Sequence, residues 1–557
     1  MRTKLTAVTQ SLPAADLIIK VGAIHAMDAD RAVYRAIALR NEWIVAASED
    51  PDGLDGLRTG STRIIHEPPL TVLPAFFDTH EHLLEAARNL ELVPLDRART
   101  LDELIDLVRD RAGRTRPGQW IQTSSGWHES QLAEARLPTA AELDRATNAH
   151  PVLCPRGEYL CTANSMALRL AGLVDHSGSA PGVLEGRAAQ AILRLVPHPS
   201  HEAEVERLGR ACTAYSAIGV GAVREARLKP GQLVVYQRAW ERGLLTLRCR
   251  VLLLVDSAWS LDERLAFVEA QQVTSGFGDD WLRLDGLKLV LDGGVSGAAL
   301  DEPYADDPTR RGELKWERDE FAEVVEFAVG RGWRVATHAF GDRAVRTALD
   351  VYEQVARRHP GLPTATLTLE HALLAGTAQR ARAARLGVAI TVQHPWLYTH
   401  GAEMIRRWGP ERTAAVMPLR SWLVDGALVS AGSDSVRPVN PLFCAWVMVT
   451  RETRDAGPQG LDEAVDRHTA IELLTRAGAS LTGELHRRGT LQRGRLADLV
   501  AYDVDPLTVD IDQLPALEPV LTVVGGRATH DPAGRLGSDP SVERATQIPN
   551  AARSDVP

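Results

Sequence analysis

Cysteine is scarce and unpatterned in this chain. The five present (Cys154, Cys161, Cys212, Cys249, Cys444) are an odd number with no C-x-x-C pair, which argues against a disulfide framework and against a thiolate zinc site. No run of Lys and Arg forms a nucleic-acid footprint, and the formal charge of −10 is spread over 557 residues. The first ten residues carry Arg2 and Lys4 but no apolar signal-peptide core, and no stretch approaches the roughly 18 apolar residues of a membrane helix. The expectation is a cytoplasmic protein whose partner is a small molecule, with neither nucleic acid nor membrane involved and a homodimer as the candidate assembly.

At 557 residues, with 45% hydrophobic and 24% charged side chains, the chain has room for two or three domains and a large core. Residues 16–21 read as a strand, and 36–40 with 43–47 read as two strands joined by Asn41 and Glu42. Between 83 and 200, short helices mix with turns. Residues 101–108 show helical spacing with Thr100 as N-cap and Glu103 near the capping-box position, and a helix over 164–171 stops at Gly172.

From 201 the pattern becomes regular. A helix over 202–218 leads into a strand at 220–225, and strand-like runs recur at 247–255, 284–291, 333–338, 366–371, 388–393 and 427–434. With the apolar run that begins at Leu73, this makes about eight strands, the number a (β/α)8 barrel requires. Residues 489–502 read as a turn-rich strand pair, and 521–524 with Gly525 and Gly526 as a hairpin. The expected organisation is a small β-sandwich domain from 1–72 and 486–535, a TIM-like barrel over 73–485 with an α/β insertion at about 83–200, and a polar, disordered tail over 536–557.

The barrel's first run ends in Leu73-Pro-Ala-Phe-Phe-Asp-Thr-His-Glu-His82. Side chains two apart on a strand share a face, so His80 and His82 can converge on one metal ion. Barrel active sites lie at the carboxyl ends of the strands. Those ends read His80 and His82, Glu225, Asp256, Lys288, His338, His371, Gln393 with His394, and Asp434. Four histidines, a lysine and an aspartate at such positions exceed what scattered surface residues would supply.

These residues carry a family resemblance. The chain resembles the metal-dependent amidohydrolase superfamily, in its branch of N-substituted formamide deformylase and YtcJ-like proteins. The matching stretches include Asp78-Thr-His-Glu-His82, Asn164-Ser-Met-Ala-Leu168, Lys288-Leu-Val-Leu-Asp-Gly293, Thr337-His-Ala-Phe-Gly-Asp342, Glu370-His-Ala372 and Gly432-Ser-Asp434. The resemblance implies one or two divalent ions, zinc first and Mn2+, Fe2+ or Co2+ as alternatives. His80, His82 and Asp434 would hold the more buried ion and His338 and His371 the other. Lys288 would bridge them as a carbamate, because a free ammonium has no lone pair to offer.

The implied activity is hydrolysis of a non-peptide amide-type C–N bond, in an N-substituted formamide or N-acyl amine. Metal-activated hydroxide would attack, with Asp434 as general acid and base. A cyclic amidase, an amino-heterocycle deaminase and a non-catalytic binding barrel are the alternatives. Trp127, Tyr159, Tyr304, Gln393 and His394 are the candidate substrate contacts. The chain departs from the family pattern in four places. Ala75 and Glu81 stand where a glycine and a small apolar residue are usual. No histidine precedes Asn164 near Tyr159, and His394 separates Gln393 from Pro395. Glu81 has no role legible in the sequence.

Overall fold

Leucine-rich and β-branched runs build one parallel sheet. Its strands are β1 (Phe76–Glu81), β2 (Val220–Leu228), β3 (Arg248–Leu254), β4 (Leu282–Val290), β5 (Val335–Ala339), β6 (Leu367–His371), β7 (Ala389–Val392) and β8 (Val429–Ala431). They pair in chain order from β1 to β8, and every pairing is parallel. Each position of β3 is buried, as expected of a strand covered on both faces. The two edges meet. Asp434 N donates to His80 O at 2.8 Å, and the Thr79 and Ser430 hydroxyls lie 3.2 Å apart, so the sheet closes into a barrel. The computed structural model describes residues 12–95, 97–125, 127, 129–156, 160–173, 182–197 and 199–536. Of the tail expected to be disordered over 536–557, Leu536 is buried in the core of the chain-end sheet and the rest lies outside the described residues.

The helices that follow the strands are set by local signals. Arg318–Gly330 buries Phe321, Val324, Val325 and Ala328 at helical spacing. Leu261–Ala270 opens on a capping box between Ser260 and Glu263. The short helix Arg476–Leu481 packs against β1 through Gly478, where a Cβ would fall 2.6 Å from the Phe77 ring. Among the described residues no helix is long and apolar enough to cross a membrane.

Both ends of the chain share a second, seven-stranded sheet. Leu17–His25, Val33–Arg40, Trp43–Ser48 and Arg63–Pro74 join Leu499–Tyr502, Leu521–Val524 and Arg527–His530. Ile19, Ile37, Ile44 and Val72 pack with Leu499, Leu521 and Val523 in its core. Asn41 takes φ 51° in the turn between two of these strands, a conformation its short polar side chain tolerates. Of the strand pair expected over 489–502, only Leu499–Tyr502 is a strand. The preceding segment instead docks as turns, with Leu491 N on Ala26 O and Gly494 N on Ile44 O.

The chain divides into two compact units. Residues 12–82, 208–434 and 438–536 form the unit with the barrel and the seven-stranded sheet, and 83–207 with 435–437 form the other. The smaller unit has a four-stranded sheet in the order Ile121–Gln122, Val152–Pro155, Leu160–Ala163 and Val183–Glu185. Its helix Leu101–Gly113 is capped by Thr100, which accepts from Glu103 N at 3.2 Å. Glu103 reaches Arg99 N at 2.7 Å instead of completing a capping box. Asn164 caps Ser165–Leu170 by accepting from Ala167 N at 3.0 Å.

Candidate metal centre

Near its carboxyl end β1 carries one residue more than the facing stretch of β2. Asp78 pairs with Val223 and Glu81 with Glu225, so three steps on β1 oppose two on β2, the mark of a bulge. The bulge separates two faces. His80 turns toward the histidines of other strands, its ring 4.7 Å from that of His371. Asp78 and Glu81 turn the other way and meet at Ser433. The Ser433 Oγ lies 2.5 Å from Asp78 Oδ2 and 2.6 Å from Glu81 Oε2, and Glu81 Oε1 accepts from His82 N at 2.7 Å. One hydroxyl proton cannot serve two carboxylates. Burial, aided by the Glu81 charge, pushes Asp78 up to about 8, and burial also raises Glu81. Glu81, without a role in the sequence, fastens the end of β1 to the turn after β8.

The other strand ends are bent to the same point. Cβ atoms alternate across a strand, yet Glu370 and His371 both reach the barrel interior. His371 has φ 74° and Ala372 φ 45°, and this left-handed turn breaks the alternation. Asp434 has φ 49° after β8. Non-glycine residues in this region cost about 1–3 kcal/mol each and gather at functional sites. The result is a cluster in which ligand atoms of His80, His371 and Asp434 lie within 4.8 Å of one another. His82 Nε2 is 3.2 Å from Asp434 Oδ1, and the His338 ring is 4.6 Å from that of His371.

Behind His80 stands a charged relay. His80 Nδ1 and Thr391 Oγ1 both bond Glu370 Oε2. Glu370 Oε1 accepts from Arg224 Nη1 at 2.6 Å, Arg224 Nε donates to Asp285 at 2.6 Å, and Asp285 accepts from Arg334 at 2.8 Å. Although burial favours a neutral Glu370, Arg224, Lys288 and His80 hold its carboxyl well below the usual range. The bond at Nδ1 fixes the His80 tautomer, leaving Nε2 with its lone pair toward Asp434, 3.8 Å away. The sequence carries a signal for these helpers: Arg224 follows the apolar run Val220-Gly-Ala-Val223 and Glu370 follows Leu367-Thr-Leu369, charges set inside strands.

Lys288 lies on β4, 2% exposed, and its Nζ has no hydrogen-bond partner among the described residues, nor has His371 Nδ1. Burial pushes the Lys288 ammonium down to about 8. His338 Nε2 stands 3.3 Å from Gly293 O and 3.5 Å from Asp292 Oδ1.

The remaining candidates are dispersed. Gln393 is fully buried and its Nε2 donates to Thr391 Oγ1 at 3.0 Å. His394 faces away, its Nε2 3.4 Å from Arg451 Nη1. The Tyr304 hydroxyl donates to Ala298 O at 2.9 Å and braces the loop after β4. Trp127 belongs to the smaller unit, where its Nε1 donates to Pro155 O at 2.9 Å. Tyr159 lies outside the described residues. Of the two strand-end acids without assignment, Glu225 accepts from the Tyr236 hydroxyl at 2.6 Å and stands 3.7 Å from His82 Nδ1. Asp256 caps a turn through Ala258 N at 2.9 Å.

The residues fit a divalent cation. Imidazole nitrogens and a carboxylate, without thiolate, suit zinc and its first-row neighbours. The constellation also calls for positive charge. Burial alone would depress His82, yet Asp434 and Glu225 outweigh it and push the ring up to about 10. The unpartnered Lys288 Nζ and His371 Nδ1 are polar atoms for which the protein itself supplies no bond.

Comparisons with known proteins find relatives of this chain. A model of a family described as amidohydrolase matches residues 70–530. The chain is 27% identical to N-substituted formamide deformylase of Arthrobacter pascens over 544 residues, covering 93% of this chain and 99% of that protein. Among solved structures, an uncharacterized metal-dependent hydrolase from Pyrococcus horikoshii OT3 superposes with a TM-score of 0.74 at 25% identity, over 89% of this chain and 99% of the other. The zinc complex of atrazine chlorohydrolase TrzN from Arthrobacter aurescens TC1 shares the fold, with a TM-score of 0.54 at 16% identity over 95% of this chain and 98% of that chain.

Proposed function

The chain belongs to the amidohydrolase family, and from that premise we propose that it hydrolyses the C–N bond of an N-substituted formamide or N-acyl amine. The observation that carries the reading is the convergence of His80, His371 and Asp434 ligand atoms within 4.8 Å at the carboxyl ends of barrel strands. The similarity to a formamide deformylase supports the substrate class.

His80, His82 and Asp434 would hold one divalent ion, zinc by preference, and His338 and His371 would hold a second. Lys288 would contribute to the site as a carbamate. Its free amine attacks CO2, the new N–C bond forms, and the released proton passes to solvent. The buried amine, pushed down to about 8, supplies the neutral form that this reaction needs. When bound, such ions lower the pKa of a water from about 15.7 toward about 7 and polarise a carbonyl.

The protein's own groups do the rest. Asp434 takes the proton of the attacking water and delivers it to the departing amine, a poor leaving group until protonated. Although burial opposes ionisation, His80, His82 and His371 hold the Asp434 carboxyl below the usual range, so it begins the cycle as a base. Its backbone N–H on His80 O and the Trp396 Nε1–H on its carbonyl at 3.3 Å fix the turn that presents it. Phe340 stacks on His338 at 4.8 Å and meets Trp396 edge-on at 5.5 Å, which restricts water on that side of the histidines.

The test is amine release from a panel of N-substituted formamides, N-acyl amines, lactams and esters by enzyme reconstituted with zinc, manganese, iron or cobalt. Metal-dependent amine release from an acyclic amide is expected. Turnover confined to lactams or esters, or none with any metal, would exclude the reading.

A further inference from the structure

Among the buried polar atoms without partners among the described residues are Lys288 Nζ, His371 Nδ1 and Gln393 Oε1. The first two are answered by the proposed ions and carbamate. The third is an amide oxygen, an acceptor that calls for a donor.

Its orientation is set by a chain of bonds. Glu370 sits between the Arg224 guanidinium, which donates to Oε1, and His80 Nδ1, which donates to Oε2, so the carboxylate accepts on both sides and Thr391 Oγ1 gives Oε2 its hydroxyl proton. With that proton committed, Thr391 Oγ1 can only accept from Gln393, so the Gln393 amide presents Nε2 to it, at 3.0 Å. Oε1 is thereby left as the free end, and a flip of the amide would set two acceptors against each other. Thr391 faces the barrel interior, because Glu370 there also bonds His80 and Arg224. Gln393 is two residues on, hence on the same face and nearer the carboxyl end of β7. Gly432 N donates to Val392 O at 3.0 Å, which sets Gln393 beside the turn that carries Asp434. The side chain is 0% exposed.

We propose that Gln393 Oε1 accepts the N–H of the substrate amide and thereby selects amides that carry one over esters of the same shape. This deepens the C–N hydrolase reading and rests on it. An ester places an oxygen lone pair where the N–H would be, and a buried acceptor left unpaired is penalised by a factor that binding of an isosteric group does not recover.

The experiment is a two-by-two comparison of kcat/KM for a formamide and its matched formate ester, in wild type and in Gln393→Met, with metal content measured on each protein. The ratio cancels the higher intrinsic reactivity of the ester. The amide-to-ester ratio should fall by about 10–100-fold in Q393M, mainly through loss of amide turnover, with metal content unchanged. Gln393→Asn, which keeps the acceptor on a shorter arm, should fall between the two and provides the comparison should Q393M not fold. A ratio unchanged in either variant while wild type cleaves the amide overturns this inference alone. Loss of metal from Q393M also overturns it, by making Gln393 a support of the centre. Wild type that releases no amine from any amide overturns the C–N reading together with it.

Discussion

Asp434 is tied to its place by more than its side chain: its N–H is bonded to His80 O, its carbonyl to Trp396, and its φ is left-handed. Asp434→Asn preserves those bonds and an oxygen ligand but removes the proton acceptor. It should keep most of its metal and lose about 10²–10⁴ in turnover; metal-replete protein with near-normal kcat would exclude the role. Glu370 acts one step back, by fixing the His80 tautomer. In Glu370→Gln the affinity for metal should drop about 10–100-fold by chelator competition, a larger change than in kcat at saturating metal. Lys288 offers a third check. The intact protein under native conditions should weigh more by one CO2, lost on acidification, and an unmodified amine would remove the carbamate from the mechanism.

At the scale of elements, the site depends on departures from regular strands. The β1 bulge sends His80 inward and Glu81 outward, and left-handed residues at the ends of β6 and β8 aim His371 and Asp434. Where β8 meets β1 the approach is so close that a Cβ on Gly432 would fall 2.4 Å from His80 N and 2.7 Å from Asp78 Oδ1. Gly432→Ala must therefore push the two strand ends apart. The expected outcome is reduced metal stoichiometry together with a loss of about 1–3 kcal/mol in stability, read by metal analysis and denaturant unfolding. Unaltered metal binding would mean that the closure does not set His80. The His-x-His spacing was legible because a period of two predicts a shared face. The bulge was not, since nothing in Asp78-Thr-His-Glu81 marks which residue lies outside the pairing register; that is decided by β2.

At the scale of the molecule, the amino-terminal end of the barrel is held by buried arginines. Arg248 reaches Asp498 with bonds of 2.8 and 2.9 Å, and Arg250 reaches Glu484 with bonds of 2.7 and 2.6 Å. Asp498 immediately precedes Leu499–Tyr502 of the seven-stranded sheet, so the pair fastens that sheet to β3. Removing one partner leaves a buried charge uncompensated. Asp498→Asn should cost about 3–5 kcal/mol by denaturant unfolding, with metal content per folded molecule unchanged; a cost under about 1 kcal/mol would mean that water reaches Arg248. By itself the sequence determined the eight apolar runs, their polar carboxyl ends, and so the identity of the metal-type residues, because period and strand-end position are local properties. Only the tertiary structure decided which helpers serve them. Glu370 meets His80 across 290 residues of sequence and Ser433 meets Glu81 across 352, and the partner of a buried charge is chosen by barrel closure, not by its neighbours along the chain.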